Sequence, residues 1–306
     1  MSIELLIEQL FNGLGYGLML FLLAAGLTLV FGVMDTMHLA HGSLFMLGAY
    51  AAATVHQRTD SFPLAVLAAI VCIAVLAAVL ERTLMRRLYV SSHLVQVVAS
   101  VGVIFVAEDL VKRIWGPAPM MVSAPSSLAG PVYLLPDWPY PAYRLVLVGA
   151  GLAVAAALYL LVNRTRLGML VRAGASNRPM AELMGVRVDV VFATVFVIGA
   201  ALAGLAGALM GPVTAVQAGM GEAILIPALV VIVIGGIGSV RGAFIAALII
   251  GLVDTAGRAF LPMFLKQVLP PALAGELGRA VAGMMMYLLM AAVLAFKPNG
   301  LFPARG

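Results

Sequence analysis

Three side chains able to carry a proton or hold a cation lie close together in VFGVMDTMHLAHGSLFMLGAY, residues 30–50: Asp35, His38 and His41. Two histidines three residues apart share a helix face, a spacing a metal ion accepts, but the chain's single cysteine, Cys72, lies in a distant apolar run and only Asp35 is near. With so few donors no metal site is expected. Ser43 or Ser239 beside a histidine could in principle cleave peptides, yet no nucleophile and base converge in the sequence, and no catalytic residue is assigned. Nucleotide binding by a P-loop needs glycine immediately before lysine. The only lysines, Lys112, Lys266 and Lys297, follow Val, Leu and Phe, so ATP is not expected on this chain. GGIGSVRG, residues 235–242, matches neither a dinucleotide fingerprint nor a G-x-S-x-G elbow. No bound cofactor is expected. If this stretch lies in a membrane its ionisable groups are costly, so they must face protein or water and something must account for their presence.

The elements that must position these residues are transmembrane helices. Of 306 residues 63% are hydrophobic and 10% charged, against roughly 25% charged in a soluble domain. Uncharged runs such as 10–34, 63–80, 145–162 and 190–221 reach the roughly 20 residues needed to cross about 30 Å of hydrocarbon. The alternation of a β-barrel is absent. The expected fold is an all-α polytopic helical bundle of about eight or nine spans with broken helices, one restarting at His41-Gly42 and another at Arg241-Gly242, a single transmembrane domain over 1–306, with spans near 10–34, 39–55, 63–80, 93–111, 145–162, 190–211, 223–237, 243–261 and 279–296.

Charge orients it. Residues 163–189 carry Arg164, Arg166, Arg172, Arg178 and Arg187, which places that loop in the cytoplasm. By alternation Arg82, Arg86, Arg87, Arg241, Lys297 and Arg305 share its side, so the N-terminus is external and the C-terminus cytoplasmic. The positive net charge, +5, is thereby explained without nucleic acid. MSIELLIEQL lacks the basic start of a signal peptide, so the first run is expected to stay. Loop 115–144 holds seven of the 16 prolines and cannot continue a helix. It is expected to form an external cap with Trp115, Tyr133, Trp138, Tyr140 and Tyr143 at the membrane interface.

Within the arginine loop, Asn177 is suited to cap a short helix over 177–186, Pro179 falls in its first turn and Gly185 ends it. Met180, Leu183 and Met184 share one face and Glu182 the other. So short a helix needs a surface to lie against. Glu108 and Asp109 are spaced to pair with Lys112 and Arg113, and Asp254 with Arg258. Gly207 and Gly211 suit close helix contact.

Taken together, residues 16–50, 172–209, VVIVIGGIGSVRGAFIAALIIGLVDT (230–255) and FKPNGLF (296–302) resemble the permease subunits of bacterial ABC importers for branched-chain amino acids. The resemblance implies a second permease subunit, homologous or identical, two cytoplasmic ATPases holding ATP and magnesium, and an extracytoplasmic binding protein, in the inner membrane. The coupling helix to the ATPases would comprise Asn177, Pro179, Met180, Glu182, Leu183, Met184 and Gly185. The path is expected to be lined by Asp35, His38, His41, Gly42 and Ser43, with Gly235, Gly236, Gly238 and Ser239 opposite. Where the family often has Asn-Phe-Ala-His-Gly, this chain has His38-Leu39-Ala40-His41-Gly42. Urea, amides or small aromatic acids are alternative solutes, and an ion-coupled carrier is the alternative mechanism.

Overall fold

Ile3–Met34 contain no proline and form α1, a 32-residue helix whose residues 18–25 and 27 are buried almost completely. It is the centre of the bundle, packed along α9 (Val188–Met210) and α11 (Val240–Leu265). The computed structural model describes residues 3–34, 36, 38–89, 91–135 and 138–302. Outside α1 run α2 (His41–Thr59), α3 (Phe62–Leu80), extended by a π-helical turn (Glu81–Met85) and α4 (Arg86–Leu88), and α5 (His93–Trp115). Then come α6 (Ala142–Arg164), α7 (Arg166–Ser176), α8 (Arg178–Leu183), α10 (Met220–Gly235) and α12 (Pro271–Phe296). Pro63 and Pro271 sit in the first turns of α3 and α12, where a missing N–H costs nothing.

Among the described residues, seven helices are long and apolar enough to cross a membrane. They run between an end carrying the arginine loop and an end carrying the proline-rich loop. At the proline-rich end Asn12 Oδ1 accepts hydrogen bonds from Tyr140 (2.9 Å) and Arg144 (2.5 Å). At the other, Gly32 abuts Gly238. Along α1 these two levels are about 30 Å apart at about 1.5 Å per residue, the thickness of a hydrocarbon core.

Each expected span coincides with a helix, but two do not cross as the sequence reading had them. After α1 the chain turns back, and α2 begins inside the bundle: a Cβ on Gly26 of α1 would meet both the Gly199 carbonyl and His41 Nε2. Gly199 is the midpoint of α9. α10 has 16 residues, about 24 Å, and also starts inside, because Gly221 and Gly42 touch backbone to backbone. α2 runs from this level toward the proline-rich end and α10 toward the arginine-rich end. Small residues make this possible, since without a hydrophobic drive between helices close backbone contact must hold them together.

The proline-rich loop contains an antiparallel hairpin, β1 (Pro131–Leu135) with β2 (Trp138–Pro141), and Met120 pairs with Val216. Tyr133 is exposed, whereas Tyr140 and Tyr143 are buried against the helices. The Tyr143 hydroxyl donates to the Leu209 carbonyl (2.7 Å), and Trp115 Nε1 donates to Thr54 (2.8 Å). Tyr140, Tyr143 and the half-buried Trp115 each have a partner for the polar tip, which pins the loop to the helices. α7 was not anticipated. Thr165 caps it by accepting from the Gly168 N–H (3.2 Å).

Candidate functional site

Two places carry the residues singled out from sequence. The first is the level where α2 and α10 begin. His38, His41 and Thr36 are fully buried, and Ser43 is nearly so. The His38 ring lies 5.1 Å from Phe196 and 6.3 Å from the His41 ring, centre to centre. Among the described residues, neither ring nitrogen of either histidine has a hydrogen-bond partner. Asp35 lies outside the described residues. The amides of two helix N-termini and their positive dipole ends converge here. Between Gly42 and Gly221 there is no room for a ligand, because a Cβ on Gly42 would overlap the Gly221 carbonyl. Clefts elsewhere, such as the one of about 430 Å³ beside Glu81, Arg86 and Asp189, are not lined by the histidines.

Gly235, Gly236, Gly238 and Ser239 are not brought opposite the histidines. They form the turn between α10 and α11 at the arginine-rich end, against Gly32, about 9 Å further along α1 than Gly26. Gly236 (φ 98°) and Gly238 (φ 81°) adopt a conformation favoured only for glycine. Ser239 caps α11 by accepting from the Gly242 N–H (3.1 Å). The C-terminal segment closes over the turn, with Leu301 N–H donating to Ile234 O (2.8 Å) and Phe302 N–H to Gly235 O (3.0 Å). Its counterpart facing Gly42 is Gly221, which carried no sequence signal beyond being glycine.

The second place is α8. Asn177 caps it by accepting from the Met180 N–H (3.0 Å), Pro179 lies in the first turn, and Gly185 (φ 83°) ends it. Ala181 is buried, while Met180, Leu183 and Met184 are exposed, Leu183 at 83%. Glu182 pairs with Arg178 (2.9 Å), and Arg178 also reaches Asp189 (3.0 Å), which in turn binds Arg86 (3.0 Å). The Arg178 guanidinium lies over the Phe192 ring at 5.3 Å. Exposed ion pairs contribute little stability singly. Linked through Asp189, they fix where α8 sits relative to α9 and the end of α3. Sequence reasoning passed over Asp189 because its partners are distant in the chain.

The anticipated pairs form: Arg258 grips Asp254 with two bonds (2.7 and 2.9 Å), Arg113 meets Asp109 (2.5 Å), and Lys112 approaches Glu108 (3.7 Å). Gly207 packs on the Phe45 carbonyl of α2, so this part of the G-x-x-x-G joins two helices of one chain.

A family model described as "Branched-chain amino acid transport system / permease component" matches residues 9–290. The high-affinity branched-chain amino acid transport system permease protein LivH of Escherichia coli is 31% identical over 288 residues, covering 87% of this chain and 91% of LivH. Its counterpart BraD of Pseudomonas aeruginosa is 29% identical over 315 residues, covering 96% and 95%. A probable LivH of Methanocaldococcus jannaschii is 25% identical over 299 residues, covering 94% and 89%. No solved structure matches the chain. A match over nearly the whole length, on a helical bundle with interrupted helices, places this chain in the family of permease components of branched-chain amino acid transport systems.

Proposed function

We propose that the chain is the translocating subunit of an ATP-driven importer for branched-chain or related amino acids in a bacterial inner membrane. It works with a second permease subunit, two cytoplasmic subunits that hold ATP and magnesium, and an extracytoplasmic binding protein that delivers the solute. The observation that carries this reading, beyond family membership, is α8: a six-residue helix holding an apolar face away from its own bundle. Exposed apolar side chains on a fixed helix mark a contact surface, and a groove in the ATPase subunit is its fit. Affinity purification in mild detergent tests it. Two nucleotide-binding subunits should accompany the chain, and a chain recovered alone would contradict the assembly.

The arginine-rich end faces the cytoplasm in this proposal, since among the described residues it gathers ten of the 18 basic residues of the chain. Ser176 and Ser126 are exposed at opposite ends. With Cys72 removed, Ser176→Cys should react only from the cytoplasmic side and Ser126→Cys only from outside. Labelling of both from one side would refute the orientation.

The path is proposed to pass the level of Asp35, His38, His41, Gly42 and Ser43 and to leave by the turn of Gly235, Gly236, Gly238 and Ser239. The described conformation is closed there, and separation of α2 from α10 would let water reach the imidazoles. An unpartnered buried polar group contributes no stability, and its desolvation costs about 1–3 kcal/mol. His41→Leu should therefore assemble in undiminished amount while changing the uptake rate. A variant that transports like the parent would remove His41 from the path.

A further inference from the structure

α10 begins inside the bundle, and its first turn carries a carboxylate, Glu222, that is exposed on the outer face of the chain. Its depth follows from two routes. Gly221 touches Gly42 beside His41, level with the midpoint of α9. From Gly42 to Thr54, which binds Trp115, α2 rises about 18 Å. Glu222 is thus well below the proline-rich surface. No ion pair is formed by Glu222 among the described residues.

An isolated carboxylate facing lipid at mid-depth costs roughly 2.5–3.5 kcal/mol on insertion scales. The positive end of the α10 dipole returns only about 0.3–1 kcal/mol. The dipole alone does not keep Glu222 in lipid, so this face meets water or protein. Polar groups continue from it toward the proline-rich end. Gln217, in the connector before α10, is exposed. Glu108 of α5 lies beside Gly219, with an oxygen 3.5 Å from where a Cβ would stand, and pairs with Lys112 one turn nearer the surface. In the other direction the same face of α10 turns apolar, with Ile226 exposed and Leu229 and Val233 half-buried.

We infer that Lys112, Glu108, Gln217 and Glu222 line a water-filled half-channel descending from the extracytoplasmic surface, and that Glu222 at its floor receives the ammonium group of a zwitterionic solute above an apolar seal. This rests on the permease reading proposed above. It adds which face of the chain is wet, and a charge preference.

The test uses the assembled complex with its ATPases, reconstituted and first replaced Cys72→Ala. A charged, membrane-impermeant methanethiosulfonate should label Glu222→Cys from the extracytoplasmic side at least about tenfold faster than Ile245→Cys, an exposed apolar position of α11. Labelling no faster than that control overturns the inference. In the unlabelled series Glu222→Asp should retain L-leucine uptake, whereas Glu222→Leu should lose about tenfold or more, the equivalent of one charge-assisted contact. Equal uptake by the two variants overturns the role of the charge. Should the parent complex take up no L-leucine but label at Glu222→Cys, the wet face stands and the solute assignment in the permease reading is what fails.

Discussion

Leu183→Asp is expected to lower ATP-driven uptake about a hundredfold or more while leaving the permease folded. Leu183 is 83% exposed in the isolated chain, so the substitution removes nothing from the bundle and places a charge where solvent already reaches. In the proposed assembly the same side chain is an anchor buried in an ATPase groove. Truncating such an anchor costs about 2 kcal/mol or more, and a carboxylate left in an apolar groove adds the cost of desolvating it. The two together amount to at least a hundredfold in affinity at about 1.4 kcal/mol per tenfold. The ATPase subunits should be lost on affinity purification, while thermal unfolding of the permease stays where it was. Leu183→Met, of similar volume, should keep both. Normal uptake by Leu183→Asp would mean that α8 rests on lipid.

Gly42→Val is expected to do the reverse, removing the folded protein itself. The first added carbon would overlap the Gly221 carbonyl and crowd Leu225, whose Cβ would be 3.2 Å away. Because backbone stands on both sides, no rotamer change relieves the clash, and α2 and α10 must move apart. Overpacking usually costs about 1–3 kcal/mol. With backbone as the obstacle the cost belongs at or above the top of that range, a large fraction of a net stability of about 5–15 kcal/mol. Gly149→Ala in α6 and Gly283→Ala in α12, where nothing lies within 4 Å of the added carbon, should be neutral or stabilising by up to about 1 kcal/mol. The yield of monodisperse protein in detergent distinguishes the three, and ordinary recovery of Gly42→Val would contradict the packed junction.

The helices were legible in the sequence because their signal is local. Uncharged runs of span length, a proline at a first turn and an asparagine cap each depend on neighbours in the chain. α8 could be read in detail for that reason, down to the Asn177 cap and the Gly185 stop. That a helix restarts at His41 was legible; the level at which α2 and α10 begin was not. An apolar run reads alike whether it crosses the bundle or starts halfway, and only the Gly42–Gly221 and Gly26–Gly199 contacts fix the level. The pairing of the histidines with Gly235–Ser239 failed to appear for a related cause. Two interrupted helices suggest one another by symmetry of pattern, but Gly221, the true neighbour of Gly42, has no polar residue to draw attention. Asp189 and Glu222 were overlooked because an acid in a first helical turn is ordinary. Only their surroundings, two arginines from other elements for Asp189 and depth for Glu222, make them informative.

The most direct measurement is uptake of radiolabelled L-leucine by liposomes holding the complete complex, with the binding protein outside. Uptake should require ATP and magnesium enclosed with the ATPase subunits, stop when either ATP or the binding protein is withheld, and be indifferent to proton or sodium gradients. Uptake by the purified chain alone, driven by an ion gradient without ATP, would contradict the account.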